Sequence, residues 1–302
     1  MSARPTVVVT RRLPDPVEQE LARDFDARLN TDDRPLGPDG LREALKSADA
    51  LLCTVTDKLT AEVLSAEPLR ARILANFGVG FNHIDTEAAK ARGLAVSNTP
   101  DVLTDATADT AMTLLLMVAR RTGEGERHLR AGQWTGWRPT HMLGTHVSGK
   151  TLGLVGMGRI ARAVAQRAHH GFGMKVIFHD PYPPPADVAA SLGAEPRARL
   201  EQVLKEADFV SLHCPATPET RHLMNKERLS LMRADAYLIN TARGDVVDEA
   251  ALVEALTARK IAGAGLDVYE KEPQVTPALL MMENVVLLPH LGSATRETRV
   301  AM

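Results

Sequence analysis

Cysteine is nearly absent from this chain: Cys53 and Cys214 are the only two in 302 residues. Both lie in apolar, β-prone runs, so the expectation is two buried free thiols in a reducing cytoplasm, and a disulfide-stapled scaffold is excluded. An excess of one charge is missing too. Lys and Arg number 36 against 38 Asp and Glu, and neither sign gathers into a block that would seek nucleic acid or a membrane surface. The most apolar helical stretch, Ala111 to Ala119, is too short to cross a bilayer. Met1 to Pro5 opens no apolar secretory segment, and no internal repeat interrupts the pattern. No metal is expected.

What the chain does contain is alternation. Its length favours two domains, each large enough to bury a core, and apolar β-prone runs alternate with amphipathic helical ones, which argues for parallel α/β architecture. A first series places strands at Thr6–Thr10, Ala50–Cys53, Ile73–Asn76 and Ala95–Ser97, with helices such as Val17–Arg23, Leu41–Lys46 and Thr86–Arg92 between them. A second places six strands, near Thr151–Val155, Lys175–His179, Phe209–His213, Ala236–Asn240, Ala262–Asp267 and Val285–Leu288. Between the series, Asn98-Thr99-Pro100-Asp101 supplies turn and N-cap signals for a long helix from Thr104 to Arg121, expected to bridge the domains.

The sharpest signal is the glycine-rich turn Gly153-Leu154-Val155-Gly156-Met157-Gly158-Arg159-Ile160-Ala161. It follows an apolar strand and opens a helix read from Arg159 to His170. Such a turn lets backbone N–H groups at a helix N-terminus approach a pyrophosphate, where the helix dipole also favours negative charge. The next strand delivers Asp180, 22 residues after Gly158, where a carboxylate can accept hydrogen bonds from an adenosine ribose. In open α/β sheets ligands sit beyond the carboxyl ends of the strands. Three residues stand just there. Arg243 follows the strand ending at Asn240, Glu272 the strand ending at Asp267, and His290 the strand ending at Leu288. A planar cation, an acid and an imidazole are the parts needed to reduce a 2-keto acid.

At this point the sequence resembles the D-isomer-specific 2-hydroxyacid dehydrogenase family. The matching segments are Asn76-Phe77-Gly78-Val79-Gly80-Phe81-Asn82-His83-Ile84-Asp85, Asn98-Thr99-Pro100-Asp101-Val102-Leu103-Thr104-Asp105-Ala106-Thr107-Ala108, the glycine turn, His213-Cys214-Pro215, and the stretches around Arg243, Glu272 and His290. The resemblance implies two Rossmann-like domains: a doubly wound parallel-sheet cofactor domain, 101–289, inserted into a smaller flavodoxin-like substrate domain, 1–100 with 290–302. It implies that Arg243, Glu272 and His290 are catalytic, that His290 protonates the carbonyl oxygen, and that Glu272 orients His290 and favours its protonated form. Glu270 is an equally simple partner on the residues alone, and only the family's Glu-Pro pair selects Glu272. The implied substrate set is Val55, Val79, Gly80, Arg243 and His290, with the backbone at Val79 and Gly80 binding the carboxylate. The implied cofactor set is Thr107, Gly156, Gly158, Arg159, Ile160, Asp180, Cys214, Pro215, Thr241, Asp267 and Gly292. Within it Thr107 and Asp267 contact the nicotinamide end, and Cys214 and Pro215 border the adenine.

NAD is the implied cofactor, with NADP the alternative. Asp180 favours NADH over NADPH, whose extra phosphate would lie against it. Both tryptophans fall in the polar, glycine-broken stretch Arg130 to Pro139, which suggests an interface, and the family implies a homodimer. The stretch Leu51 to Asp57, at the end of a first-domain strand, is small and apolar without a cation for a substrate phosphate, so a small keto acid, glyoxylate or hydroxypyruvate, is expected. Two alternatives share the motifs: a D-lactate or phosphoglycerate dehydrogenase, and an NAD-sensing binding module, against which the complete Arg243, Glu272 and His290 set argues. Formate dehydrogenases are disfavoured because they carry glutamine beside the histidine. The family usually continues past the catalytic histidine with a helix returning to the first domain, and 294–302 reads as its start.

Overall fold

The computed structural model describes residues 4–302. The reading of Met1 to Pro5 therefore falls partly outside the described residues. The chain divides into two compact units: one is Met1–Leu103 with Ala294–Met302, the other Thr104–Ser293.

The first unit is built on a five-stranded parallel sheet of β1 (Thr6–Val9), β2 (Asp26–Arg28), β3 (Ala50–Thr54), β4 (Ile73–Phe77) and β5 (Ala95–Ser97), in the order β2-β1-β3-β4-β5. This is the flavodoxin-like order. Its core gathers Leu51, Cys53 and Leu74 from the strands with Leu41, Leu45, Val63 and Leu64 from the helices Pro38–Ser47 and Ala61–Leu64. The final helix, Arg296–Ala301, is capped by Thr295 and belongs to this unit.

The second unit carries a seven-stranded parallel sheet: β6 (Thr151–Val155), β7 (Lys175–His179), β8 (Ala194–Pro196), β9 (Phe209–Leu212), β10 (Tyr237–Asn240), β11 (Gly263–Leu266) and β12 (Val285–Leu287), ordered β12-β11-β10-β9-β6-β7-β8. Strand order reverses between β6 and β9, the switch point at which doubly wound sheets bind ligands. β9, β10 and β11 are buried along their whole length. They therefore read as continuous apolar runs rather than alternating ones.

Four expectations change. The sheet has seven strands, not six, because β8 pairs with β7 at the edge over three residues that end in a proline; the equally short β2 pairs with β1 at the edge of the other unit's sheet. The helix Thr104–Ala119 does not bridge the units. It lies wholly in the second one, with Ala106, Ala111, Met112, Leu115 and Val118 among nine buried residues, too many for a helix with one free face. The helix after the glycine turn keeps α geometry only over Arg159–Gln166 and widens into a π turn over Arg167–Gly171. The compact units also part at 103/104 and 293/294, so that residues 290–293 stay with the seven-stranded unit. Among the described residues no helix is long and apolar enough to cross a membrane.

Candidate active site

At the nucleotide-like end, the turn after β6 and the turn after β9 touch through their backbones. Gly156 has φ +90, and a Cβ there would lie 3.0 Å from Cys214 N and from His213 C and O, so only glycine permits this approach. The turn is tied on both sides. Gly156 N–H donates to the His179 carbonyl and His213 N–H to the Val155 carbonyl, each at 2.8 Å. At Gly158, which starts the helix Arg159–Gln166, a Cβ would meet nothing within 4 Å. Space thus opens over the first helical turn, where Arg159 is exposed and Ile160 half-buried. Asp180 closes the arrangement from β7. Its Oδ2 accepts from Met157 N–H and its Oδ1 from Tyr182 N–H, both at 2.7 Å, and each oxygen retains a lone pair for a further donor. Cys214 is half-buried and uncharged, since burial pushes its thiol up to about 11. Pro215 beside it is exposed.

The adjacent strands β10, β11 and β12 present the chemical groups. Asn240, 1% exposed, ends β10 by folding its carboxamide over the following turn: Oδ1 accepts from Ala242 N–H at 3.0 Å and Nδ2 donates to the Arg243 carbonyl at 2.9 Å. This closed turn holds Arg243, whose guanidinium donates to the Ala242 carbonyl at 2.7 Å. Burial pulls the Arg243 pKa down, against the opposing charges of Glu272 and Asp245. At Gly244 a Cβ would lie 1.9 Å from the Tyr269 carbonyl carbon. The loops after β10 and β11 therefore run in backbone contact that any side chain would prevent.

That contact brings Glu272 beside Arg243. Glu272 Oε1 accepts from Tyr269 N–H at 3.0 Å, and Oε2 lies 2.8 Å from His290 Nδ1. Burial would raise the Glu272 carboxyl, but the hydrogen bond and charge of His290, the Tyr269 amide and the Arg243 charge together hold it below the ordinary carboxylate value. Glu270 pairs elsewhere, with His222 Nε2 at 2.9 Å. Of the two acids, Glu272 is thus the one that meets His290.

His290 has φ +57, a left-handed conformation unusual outside glycine. Asp267 explains how it is held. The Asp267 carbonyl accepts from His290 N–H at 2.9 Å, while its carboxylate accepts from Leu291 N–H at 2.6 Å and Gly292 N–H at 2.7 Å. One buried residue captures three successive amides and ties 290–293 to the seven-stranded unit. Burial raises the Asp267 pKa, and the two amides oppose that rise. Thr107 stands alongside: a Cβ at Gly292 would lie 3.3 Å from both Asp267 Oδ2 and Thr107 Cγ2.

The residues fit a dinucleotide. Besides the glycine cradle, Thr241 is 7% exposed yet its hydroxyl has no hydrogen-bond partner, an orphan that a ligand's polar group would satisfy. Among the described residues no group of His, Cys, Asp or Glu could hold a metal ion.

In the five-stranded unit, Val55 is 39% exposed in the turn after β3, and Val79 and Gly80 are half-buried in the bend after β4. The β3 turn has a cation that its own sequence lacks. Arg11, arriving from β1, donates to Thr56 at 3.4 Å, but its Nε is bound to Asp33 at 2.8 Å, so the charge is neutralised locally.

Sequence reasoning missed Asn240, Gly244 and Glu249. An Asx residue two positions before a turn amide is a local signal that could have found Asn240. Buried Glu249 accepts from Glu270 N–H at 2.6 Å and from Thr276, bracing the Glu272 loop. Gly244 and Glu249 act through segments distant in sequence, and no local signal marks them.

Residues 112–292, more than half of the chain, match the family described as D-isomer specific 2-hydroxyacid dehydrogenase, NAD binding domain. A glyoxylate reductase of Korarchaeum cryptofilum is 47% identical and one of Thermococcus kodakarensis 46%, each alignment covering 99% of this chain and 90% of the relative. The solved NADPH-dependent glyoxylate/hydroxypyruvate reductase of Sinorhizobium meliloti, in complex with NADP and malonate, superposes with a TM-score of 0.85 at 37% identity, covering 99% of this chain and 90% of that one. The chain belongs to the D-isomer-specific 2-hydroxyacid dehydrogenase family.

Proposed function

We propose that this protein reduces a small 2-keto acid, glyoxylate or hydroxypyruvate, to the 2-hydroxy acid with NADH. One observation carries the reading: the 2.8 Å His290–Glu272 pair and Arg243 stand together on loops after three adjacent parallel strands. When bound, the reduced nicotinamide supplies the hydride. His290 keeps one proton on Nδ1 for Glu272 and delivers the other from Nε2 to the carbonyl oxygen as negative charge develops there. Arg243 offers a planar fork to the keto acid, and the Val79 and Gly80 amides bind its carboxylate. Gly156, Gly158, Arg159 and Ile160 receive the pyrophosphate, Asp180 the adenosine ribose, Cys214 and Pro215 the adenine. Thr107, Thr241, Asp267 and Gly292 serve the nicotinamide end.

The relatives named glyoxylate reductase support the substrate class. The apolar turn at Val55 and the neutralised Arg11 support a small, unphosphorylated acid. Exposed Trp134, Trp137 and Leu143, at 53%, 81% and 66%, support a homodimer joined through this arm. The free thiols at Cys53 and Cys214 suit a cytoplasmic setting. The test is a panel of glyoxylate, hydroxypyruvate, pyruvate, phenylpyruvate and 3-phosphohydroxypyruvate at one NADH concentration. The highest kcat/KM is expected for glyoxylate or hydroxypyruvate; a maximum for the aromatic or the phosphorylated acid would overturn the substrate.

A further inference from the structure

We propose that Asn76 and Asn98 are positioning residues that aim the Val79 and Gly80 amides at the substrate carboxylate, with His83 holding Asn76 in place. The inference rests on the proposed reading of the protein as a 2-keto acid reductase. In a trans peptide the carbonyl of one residue and the N–H of the next point in opposite directions, so whatever binds the carbonyl sets where the following N–H points.

All three carbonyls of the bend after β4 are bound. The Gly78 carbonyl accepts from Asn76 Nδ2 and from Thr99 N–H, each at 3.0 Å, which turns the Val79 N–H the other way. The Val79 carbonyl accepts from Asn98 Nδ2 at 2.9 Å, which turns the Gly80 N–H away from Asn98. The Gly80 carbonyl accepts from Asn76 Nδ2 at 3.0 Å and closes the bend. Among the described residues, neither the Val79 nor the Gly80 N–H has an acceptor. Two neighbouring amides are thus left as donors by side chains that take up only the carbonyls. Since orphaned amide donors are costly to bury, a pair held in this way is suited to an anion.

Asn76 is 3% exposed, and its orientation is unambiguous. With Nδ2 committed to two carbonyls, Oδ1 is the acceptor, so His83 Nε2, 3.0 Å away, must be the donor. A reversed carboxamide would set oxygen against oxygen at both carbonyls. His83, Asn76 and the bend therefore form one directed chain of hydrogen bonds, and Asn98 adds the second anchor from the segment after β5.

Asn98 is exposed, so Asn98→Ala should fold normally and reads the idea cleanly. Freeing the Val79 carbonyl lets the Gly80 amide wander; losing the orientation of about one hydrogen bond to a charged group raises KM for glyoxylate roughly tenfold. Inhibition by oxamate, an unreactive carboxylate, should weaken by the same factor, with KM for NADH unchanged. Asn76→Leu, of similar shape but without donors, should do more; if it does not fold, Asn98→Ala decides. An active wild type whose Asn98→Ala variant keeps glyoxylate KM and oxamate inhibition within twofold overturns the proposal, as does an equal rise in the KM for NADH. A wild type that reduces no 2-keto acid removes the functional reading itself, a separate failure.

Discussion

Replacing Asp267 with alanine tests the account of how His290 is held. The substitution removes both acceptors of the Leu291 and Gly292 amides, bonds of 2.6 and 2.7 Å to a buried carboxylate. Hydrogen bonds to a charged group contribute about 1.5–3 kcal/mol each, and an amide left buried without a partner adds its own desolvation cost. Part of this is offset, because the raised Asp267 pKa shows that the carboxylate is itself costly to bury. The net loss is about 2–4 kcal/mol. At roughly 2–4 °C per kcal/mol for a unit of this size, thermal unfolding should fall by about 5–15 °C. Activity should fall too. His290 sits at φ +57, which costs a non-glycine residue roughly 1–2 kcal/mol, and once the clamp is gone the backbone relaxes and carries the imidazole away from Glu272. The corresponding drop in kcat is about 5- to 30-fold. Circular dichroism melting and steady-state kinetics on the same preparation supply both numbers. A variant that melts within about 2 °C of wild type, with kcat within about twofold, would refute the clamp.

His290→Ala and Arg243→Ala should both fold and lose at least about a hundredfold in kcat/KM, because each removes a group needed chiefly in the transition state; folded variants with near-wild-type rates would sink the assignment. Glu272→Gln keeps a hydrogen-bonding group beside His290 but removes its charged partner, so kcat/KM for keto-acid reduction should fall at least about tenfold, and an unchanged value would reject the role. Stability gives an independent reading of the same pair. The Glu272 carboxyl is depressed in the folded state, so its contribution is present above the ordinary carboxylate range and lost as pH falls through the lowered value; the stability gap between wild type and Glu272→Gln should shrink in acid. NADH should give a higher kcat/KM than NADPH, and Asp180→Ala should narrow the difference; a preference for NADPH in the wild type contradicts the ribose role of Asp180. Light scattering should show a dimer at micromolar concentration, and a mass near the 32.7 kDa monomer would exclude it.

Much of the architecture was legible because its signals are local. An apolar run, a glycine break and a helical pattern are contiguous, so β6, the glycine turn and the helix from Arg159 could be read together, and β6 and β7 match the expected limits residue for residue. Signals weakened with length and exposure. β2 and β8 are three-residue edge strands whose pairing depends on a neighbour already being in place. The helix Thr104–Ala119 carried an apolar pattern, but which body it would pack against was not written in it.

The candidate site divides in the same way. Sequence by itself determined which residues stand at the carboxyl ends of β10, β11 and β12, because strand length and residue type are properties of short segments. Family resemblance then named Arg243, Glu272 and His290. Only the tertiary structure decided that Glu270 turns to His222 instead, that Asp267 spends its carboxylate on the amides beyond the histidine, and that Asn240 and Gly244 set the position of Arg243. The reason is physical. These are contacts between loops that leave different strands of one sheet, and their distances are set by strand order, backbone approach and hydrogen-bond direction, none of which exists until the sheet has formed.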